Sequence, residues 1–401
     1  MLYLHVPFCK QACSYCNFHF STSMKTRPAV LAGINRELAV RRRELPKEEV
    51  PSIYFGGGTP SLLTEEELAA LFTTLVHHEY LGEGASAGTG KGEKVEITLE
   101  ANPDDLDERT IAVLAASPIN RLSIGIQSFY EEDLLFMNRA HSAAEARAAV
   151  RKVNQAGFHD VSIDLIYGGQ TTTDAMWAEN LRIATDLGVT HISAYALTVE
   201  PQTALGVSVA RGKTPDTDDD KFARHFTMLV DHLTAHGYEH YEISNFCLPG
   251  HRSRHNSGYW SGQPYLGIGP GAHGFDGLRT RRWNVANNAT YAKAWADITD
   301  YDTYLATENL LFEQEVLTDR DRYNEFIMTA LRRAEGVNLE ELRERFGPEA
   351  VPYFSRSQAA NVAAGLFHPI EQGAYRLSRE GIMRADGVAS DAFWVKENWQ
   401  M

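Results

Sequence analysis

Three of the four cysteines in this 401-residue chain lie close together, in the segment Cys9-Lys-Gln-Ala-Cys13-Ser-Tyr-Cys16. Thiolates crowded on one short loop indicate metal or redox chemistry, and four cysteines are too few for a disulfide framework in a chain of this length. The C-x3-C-x2-C spacing can hold three corners of a [4Fe–4S] cluster, which takes four cysteines when the protein ligates it fully. One iron would then stay open to the amino and carboxylate groups of a bound molecule. The isolated Cys247 is predicted to be an ordinary thiol.

Zinc is the alternative metal for such a group of thiols. A structural zinc site has four protein ligands, and His5 or His19 could supply the one that the three cysteines leave missing. The spacing favours the iron–sulfur cluster, and the zinc site stays as the alternative.

The cysteine loop follows the first of several β-rich segments that alternate with helical patterns. Repeated strand–helix units build a parallel sheet, so the pattern predicts an α/β fold with a whole or partial (β/α)6 barrel of the TIM type. We expect the strands at Leu2–His5, Ser52–Phe55, Val95–Glu100, Arg121–Gln127, Val161–Tyr167 and His191–Leu197, with a further strand at Glu239–Asn245. We expect the helices at Ala29–Leu45, Thr64–Tyr80, Asp107–Ala116, Ala143–Ala156, Asp174–Leu187 and Asp219–His236.

Glycine and polar residues stand where these strands end. The glycines at positions 56–58 precede Thr59 and follow the second strand, and glycine lets the backbone approach a ligand closely. Glu100, Gln127 and Asp164 each end a later strand. Because the carboxyl ends of barrel strands share one face, we expect these side chains at the same barrel mouth as the cysteine loop.

Together these segments resemble the radical S-adenosylmethionine (SAM) superfamily, in its branch of coproporphyrinogen oxidase-like proteins. The resemblance extends over nearly the full chain. Its motifs are Tyr3-Leu-His5-Val-Pro7-Phe-Cys9-x3-Cys13-x-Tyr15-Cys16, Tyr54-Phe-Gly-Gly-Gly-Thr-Pro60, Glu100-Ala-Asn-Pro103, Arg121-Leu-Ser-Ile-Gly-Ile-Gln127-Ser-Phe129, Asn138-Arg139-Ala-His141 and Asp164-Leu-Ile-Tyr-Gly168.

The resemblance implies a [4Fe–4S] cluster on the three cysteines and SAM beside it. It implies that Gly57, Gly58 and Thr59 bind the amino group of SAM. It also implies that the ribose, methionine carboxylate or adenosyl portion contacts Glu100, Gln127, Arg139 and Asp164, with Tyr3 and Tyr15 as flanking contacts. A guanidinium suits a carboxylate because it can donate two parallel hydrogen bonds.

A second candidate site lies in Ser253-Arg-His255-Asn256-Ser-Gly-Tyr259-Trp260. Imidazole ligates haem iron, although a hydrogen-bonded structural histidine is the simpler interpretation of His255 alone. The H-N-x-x-Y-W pattern resembles the haem-binding motif of HemW-like haem chaperones, a subgroup of the same branch, and so implies that His255 binds haem.

The surroundings of His255 are basic. Between positions 252 and 282 there are five arginines and one acid, Asp276, a local excess of 5 − 1 = +4 in a chain whose net charge is 38 − 53 = −15. We expect some of these arginines to pair with haem propionates, with a solvated basic loop as the alternative. They are Arg252, Arg254, Arg279, Arg281 and Arg282.

Two departures separate this chain from the oxygen-independent coproporphyrinogen III oxidases, which it also resembles. Those enzymes carry a fourth cysteine two positions after the third, where this chain has Phe18, and they have an N-terminal extension before the first strand. With the His255 motif, these features favour a haem chaperone that delivers haem to respiratory proteins. The alternative is a radical enzyme that decarboxylates porphyrinogen propionates, and whether the chain is an enzyme stays open.

Composition sets the remaining expectations. The acidic balance argues against nucleic acid as a partner, because phosphate binding needs a basic surface. Neither a signal peptide nor a membrane-spanning run is recognised, so we expect a cytoplasmic protein, and the resemblance implies a homodimer. We expect a flexible insertion at 82–94. The predicted domains are the barrel at 1–245, a connecting region with the haem motif at 246–312, and a helical, winged-helix-like domain at 313–401.

Overall fold

The computed structural model describes residues 1–46, 50–82 and 95–395. The insertion predicted at 82–94 lies, apart from Gly82, outside the described residues. Within the described ranges, every helix is too short or too polar to cross a membrane.

A twisted sheet of nine strands forms the centre of the part of the chain that the structure describes. Its strand order is β7-β8-β6-β5-β4-β3-β2-β1-β9, and β1 to β6 are mutually parallel neighbours in chain order. The strands are β1 (Leu2–Val6), β2 (Ser52–Gly57), β3 (Glu96–Ala101), β4 (Arg121–Gln127), β5 (Asp160–Tyr167), β6 (His191–Ala196), β7 (Glu239–Glu242), β8 (Asn245–Cys247) and β9 (Leu266–Ile268). The sheet stays open, so the predicted partial (β/α)6 barrel is confirmed.

Most residues of the six parallel strands are buried, including polar residues such as Arg121 and Ser123 of β4. Every residue of β4 is buried, as expected for a parallel strand covered by helices. Thr64 caps its helix as the sequence indicates: its hydroxyl accepts the Glu67 N–H (3.2 Å), and the Glu67 carboxylate accepts the Thr64 N–H (2.9 Å). The helices of this part are α1 (Arg27–Arg41), α2 (Glu65–His77), α3 (Glu108–Ala116), α4 (Glu131–Phe136), α5 (Ala143–Gln155), α6 (Asp174–Asp186), α7 (Ala204–Ala210) and α8 (Asp219–Ala235).

The expected strand at Glu239–Asn245 is wrong as a single element. The chain reverses at Ile243 and Ser244 and forms the antiparallel pair β7 and β8. This two-residue turn lacks the glycine, asparagine or aspartate that usually marks a hairpin. The short helices α4 and α7 were also not predicted, because six or seven residues are too few to show a helical period.

The residues after β8 add one strand to the sheet and are hydrogen-bonded to α1. Its β9 pairs in parallel with β1, on the side opposite β2. The buried Glu37 carboxylate accepts hydrogen bonds from Arg41 Nη1 (2.6 Å), Asn284 Nδ2 (2.7 Å), the Gly269 N–H (2.8 Å) and the Tyr291 hydroxyl (2.5 Å). The elements here are α9 (Arg254–Trp260), β10 (His273–Phe275), β11 (Thr280–Asn284), α10 (Asn288–Asp297), α11 (Tyr301–Leu305) and β12 (Phe312–Val316), of which β10, β11 and β12 form a second, antiparallel sheet.

The C-terminal segment is mainly helical and has its own hydrophobic core. A two-stranded antiparallel sheet accompanies the helices, in agreement with the expected small helical appendage. Its elements are α12 (Asp319–Leu331), β13 (Val337–Asn338), α13 (Leu339–Phe346), α14 (Ala350–Ser357), α15 (Ala359–Ala363), β14 (Ala374–Tyr375), α16 (Arg379–Ile382) and α17 (Ala385–Asp391). The domain boundaries at 245 and 312 stay predictions.

Candidate functional site

The cysteine loop follows β1 and is held at both sides. At its base, the Cys9 N–H donates to Ser21 O (3.1 Å) and the Ser21 N–H donates to Pro7 O (2.9 Å). On the far side, the Ser14 N–H donates to Met137 O (3.0 Å). Asn138 Nδ2 donates to the backbone carbonyl of residue 12 (2.7 Å). Hydrogen bonds from neighbouring segments therefore hold the loop both at its base and on its far side.

The three loop cysteines are half-buried free thiols. Burial raises the pKa of Cys9 to about 11, against a hydrogen bond from Thr59 that lowers it, and burial also raises the pKa of Cys16. Arg139 Nη1 lies 3.3 Å from Cys13 Sγ. Since metal ligation needs thiolates, cluster binding must release protons from these groups.

The arrangement does not suit the zinc alternative. Among the described residues, no three His, Cys, Asp or Glu side chains converge on one ion position. His5 uses both ring nitrogens, with Tyr3 OH (3.1 Å) and His19 O (2.9 Å), and His19 Nε2 bonds Asn288 Oδ1 (2.8 Å). The three loop thiols remain the expected ligands of a [4Fe–4S] cluster, in which each thiolate binds a separate iron.

The glycine run at the end of β2 supports the cysteine loop. The Gly58 N–H donates to Val6 O (2.9 Å) and the Thr59 N–H donates to Phe8 O (2.7 Å). A Cβ on Gly58 would lie 2.6 Å from the Phe8 nitrogen, so glycine is required by this close approach. The Gly57 N–H is taken by Glu100. The backbone N–H groups of Gly57, Gly58 and Thr59 are thus all used inside the protein.

Arg139 connects three of the predicted segments. Its Nη2 donates to Gly125 O in β4 (2.7 Å) and to the Asn102 side chain, whose own Nδ2 donates to Thr59 Oγ1 (3.1 Å). Its Nε is buried without a hydrogen-bond partner among the described residues. The guanidinium thus stands beside Cys13 with a donor still unused, which fits a carboxylate ligand.

Glu100, near the end of β3, and Asp164, in the middle of β5, form a pair of carboxyl groups that interact electrostatically, so the expectation that Asp164 ends its strand is wrong. Burial raises the pKa of Glu100 to about 7, and the charge of Asp164 adds to this. Glu100 accepts from Tyr54 OH (2.9 Å) and from the Gly57 N–H (3.2 Å). Burial likewise raises the pKa of Asp164 to about 6, against hydrogen bonds from Ser123 and Ser193. Two acids poised near neutrality are typical of a binding or catalytic site.

Gln127 ends β4 in an unusual backbone conformation. Its φ is +66°, and the register between β4 and β5 shifts just before it. Such a bulge re-aims a side chain and is common beside functional sites. Tyr15 packs against the small cluster that includes Leu134 and Met137, and burial raises its pKa.

His255 lies inside the structure rather than on an open loop. It belongs to α9, is 1% exposed, and stacks on Tyr54 with ring centroids 5.0 Å apart. Its Nδ1 bonds Ser52 Oγ (2.9 Å) and its Nε2 bonds Tyr259 OH (2.9 Å). Ser253 caps this helical turn by accepting the Asn256 N–H (3.2 Å), so His255 lies on a short helix.

A cavity of about 930 Å³ opens beside the cysteine loop. Its walls come from Phe18 and His19, the end of α9, the sheet of β10 and β11, and the helices α12 and α13. Phe18 stands where the resembling oxidases have a fourth cysteine, and it is 70% exposed. This volume lies in the range of pockets that hold small molecules and cofactors.

The predicted arginine cluster is dispersed in the structure. Arg281 lines the cavity and pairs with Glu325 (2.8 Å). Arg252 pairs with Glu239 and Glu335, Arg279 with Asp319, and Arg282 with Glu44. Other basic residues of the cavity come from the C-terminal segment: Arg322, Arg333 and Arg345. The local excess of charge seen in the sequence is thus largely balanced by acids from distant segments.

The structure brings most of the predicted residues to one place. The cysteine loop, the glycine run, Arg139 and Gly125 are joined by the hydrogen bonds above, and Glu100 lies beside Gly57. Asn102, Tyr54 and Asn138 were not predicted as site residues, although each stands inside a motif already noticed. The signal that could have identified Asn102 was its polar side chain directly after β3, whereas Tyr54 lies inside β2 and Asn138 follows α4.

An open α/β barrel with three cysteines after its first strand, and glycine and polar residues at the next strand ends, defines a radical SAM protein. The model of the Radical SAM superfamily matches residues 3–184, and that of the HemN C-terminal domain matches residues 317–384. Heme chaperone HemW of Mycobacterium tuberculosis is 39% identical over 307 residues, covering 74% of this chain and 75% of the relative. The chain therefore belongs to the HemW haem chaperone family.

Two further comparisons agree with this. Heme chaperone HemW of Lactococcus lactis is 32% identical, covering 86% of this chain and 84% of its own length. The second comparison is with a solved structure, coproporphyrinogen III oxidase (HemN) from Escherichia coli, which is a radical SAM enzyme. The match covers 98% of this chain and 89% of the HemN chain, with a TM-score of 0.81. At 19% identity this second likeness shows the fold.

Proposed function

We propose that this protein is a haem chaperone that binds a [4Fe–4S] cluster, SAM and haem, and delivers haem to haem-dependent respiratory proteins. The observation that carries the proposal is the position of the large cavity, which is lined by residues 17–19, directly after Cys16. A porphyrin in this cavity would lie next to a cluster on Cys9, Cys13 and Cys16.

Several residues support the binding of SAM in this proposal. The charge of Arg139, beside Cys13, suits the methionine carboxylate, and Gly57, Gly58 and Thr59 lie next to the cysteine loop, where the amino group is expected. The acid pair of Glu100 and Asp164 suits hydroxyl donors such as those of a ribose. When bound and reduced, a cluster of this type supplies the electron for SAM cleavage, a chemistry that belongs to the cofactor. The protein's part is to hold the open iron and the SAM carboxylate at a fixed separation.

The test begins with anaerobic reconstitution of the purified chain with iron and sulfide. We expect about four irons and four sulfides per chain, and loss of the cluster absorbance in Cys13→Ser. Cys247→Ala is the matched control, because Cys247 lies in β8 and should leave the cluster unchanged. A full cluster in Cys13→Ser would remove this loop from the proposal.

The second part separates the chaperone from the oxidase. The reconstituted chain is titrated with haem and then incubated anaerobically with coproporphyrinogen III, SAM and a reductant. The proposal predicts saturable haem binding and no protoporphyrinogen. Robust protoporphyrinogen formation without haem binding would establish the enzymatic alternative.

The proposal also includes a cytoplasmic location and a homodimer of cluster-loaded chains. Gel filtration with and without the cluster measures the oligomeric state. We expect the apparent mass to double on cluster loading.

A further inference from the structure

Asn102 begins a short helical turn but does not cap it. It follows β3 and precedes the turn Pro103–Asp105, a position where an asparagine side chain usually accepts a hydrogen bond from one of the first N–H groups. Here the side chain accepts no such bond. Its amide is directed into the candidate site instead, which indicates a role other than starting the turn.

Both ends of the Asn102 amide are used in the site. Its Oδ1 accepts a hydrogen bond from Arg139 Nη2, and its Nδ2 donates to Thr59 Oγ1 (3.1 Å). A guanidinium has only donors, whereas the Thr59 hydroxyl can accept, so an amide with one acceptor and one donor matches both partners. Asn102 thus joins the residue expected at the methionine carboxylate to a residue expected at the amino group.

Gly125 leaves the room in which these side chains meet. A Cβ at this position would lie 3.0 Å from Gln127 Nε2, 3.2 Å from Arg139 Nη2 and 3.4 Å from Asn102 Oδ1. The Gly125 carbonyl oxygen also accepts a hydrogen bond from Arg139 Nη2 (2.7 Å). The guanidinium is therefore held by the backbone of β4 and by the amide of Asn102 together.

The backbone of Asn102 is connected to the cysteine loop. Its N–H donates to Ser61 Oγ (3.4 Å), and Ser61 Oγ donates to Asp105 Oδ2 (2.7 Å). The buried Asp105 carboxylate pairs with Lys10, which lies between Cys9 and Cys13. Two hydrogen bonds and one ion pair thus place the Asn102 amide relative to the loop that would hold the cluster.

From these contacts we propose that Asn102 is a positioning residue for SAM. Its amide holds the Arg139 guanidinium and the Thr59 hydroxyl at a fixed separation. The carboxylate and the amino group of an amino acid share one carbon atom, so the residues that bind them must keep such a separation. This inference rests on the SAM binding of the proposed function. It gives Asn102 no contact with SAM itself, so it can fail while SAM binding stands.

The experiment compares the binding of two ligands to the cluster-reconstituted full chain by anaerobic equilibrium dialysis. SAM carries the carboxylate and the amino group, whereas 5′-methylthioadenosine keeps the adenosine and the sulfur but lacks both groups. Asn102→Leu should weaken SAM binding by roughly tenfold, the size of the effect of a lost hydrogen bond to a charged group. The affinity for 5′-methylthioadenosine should stay unchanged, because no partner of the adenosine portion moves.

Asn120→Leu is the matched control. The Asn120 side chain also makes two hydrogen bonds, from the Ile97 N–H (2.8 Å) and to Val95 O (2.8 Å), but at the opposite end of the sheet. Asn120→Leu should bind both ligands as the wild type does. Asn102→Asp serves if leucine prevents folding or cluster loading, since it keeps the size and the acceptor. Its negative charge should offset the charge of Arg139 and so weaken the binding of SAM alone.

The outcomes separate this inference from the proposed function. Wild-type affinity for SAM in a cluster-loaded Asn102→Leu or Asn102→Asp chain would overturn the positioning role. An equal loss of both ligands from a chain with full cluster content would also overturn it, because Asn102 would then act on the whole fold. If the cluster-loaded wild type binds no SAM, the proposed SAM binding fails and the positioning role fails with it.

Discussion

The acid pair of Glu100 and Asp164 gives a prediction whose sign and size follow from the structure. We consider Glu100→Gln in the metal-free protein. Burial raises the pKa of Glu100 from 4.5 to about 7, and the negative charge of Asp164 adds to this. Between these pH values the folded chain holds a proton that the unfolded chain has lost. The free energy of unfolding therefore falls as the pH rises from 4.5 to 7, and is level on either side.

The pKa difference sets the magnitude. At 1.36 kcal/mol for each pKa unit, the step from 4.5 to 7 corresponds to about 3 kcal/mol. Glutamine stays neutral and still offers an acceptor to Tyr54 OH, which lies 2.9 Å from the carboxylate. Glu100→Gln should thus raise the free energy of unfolding by up to about 3 kcal/mol at pH 8. At pH 5 the same substitution should change the free energy of unfolding little.

The assay is urea denaturation at pH 5 and pH 8, followed by the fluorescence of the six tryptophans at low protein concentration. The quantity compared is the difference between wild type and variant at each pH, which cancels the titration of other groups. Glu344→Gln, at an exposed position, is the control and should show no pH-dependent difference. Asp164→Asn should lower the pKa of Glu100, because it removes a neighbouring negative charge.

An equal effect of Glu100→Gln at both pH values would refute this reasoning. It would mean that the carboxyl group has the same pKa in the folded and unfolded chain. A loss of stability at pH 8 would contradict it more strongly, since the ionised carboxylate would then be stabilising.

Three further changes test how the site is built. Glu37→Gln should lower the free energy of unfolding by roughly 3 kcal/mol, because it leaves a buried arginine without this ionised partner, and urea denaturation measures it. Gly58→Ala should reduce the iron bound after reconstitution, since its Cβ would lie 2.6 Å from the Phe8 nitrogen, whereas Gly387→Ala has open space and should bind iron normally. Asn138→Ala, at φ +54°, should speed hydrogen exchange in the cysteine loop, and unchanged exchange would show that this contact does not hold it.

Sequence patterns sufficed to predict the barrel and to bring most of the candidate site residues to one region of it. Apolar strands with polar residues at their carboxyl ends place the cysteine loop and Glu100 on one face, since chain direction is the same in every parallel strand. The six parallel strands of the barrel are confirmed as predicted, with ends that differ by one or two residues. Local information is enough for these strands because each has a strong apolar pattern, and it is not enough for Arg139, which follows the short helix α4.

Contacts between distant segments could not be predicted from the sequence. In the sequence, the arginines near His255 form a basic cluster. In the structure, Glu325 pairs with Arg281 and Glu44 pairs with Arg282, and both acids come from distant segments of the chain. Likewise, the burial of His255 depends on the packing of α9 against β2, which no local pattern encodes. The cavity itself exists only because the C-terminal helices cover β10 and β11.

The most direct test of the chaperone proposal is haem transfer. Cluster-reconstituted chain loaded with one haem is mixed with haem-depleted respiratory membranes, and the reduced-minus-oxidised cytochrome absorbance is followed against free haem at the same concentration. The proposal predicts faster and more complete cytochrome formation from the loaded chain than from free haem, and loss of that advantage in Cys13→Ser. Cytochrome formation no faster than with free haem, from a chain that holds both cluster and haem, would contradict it.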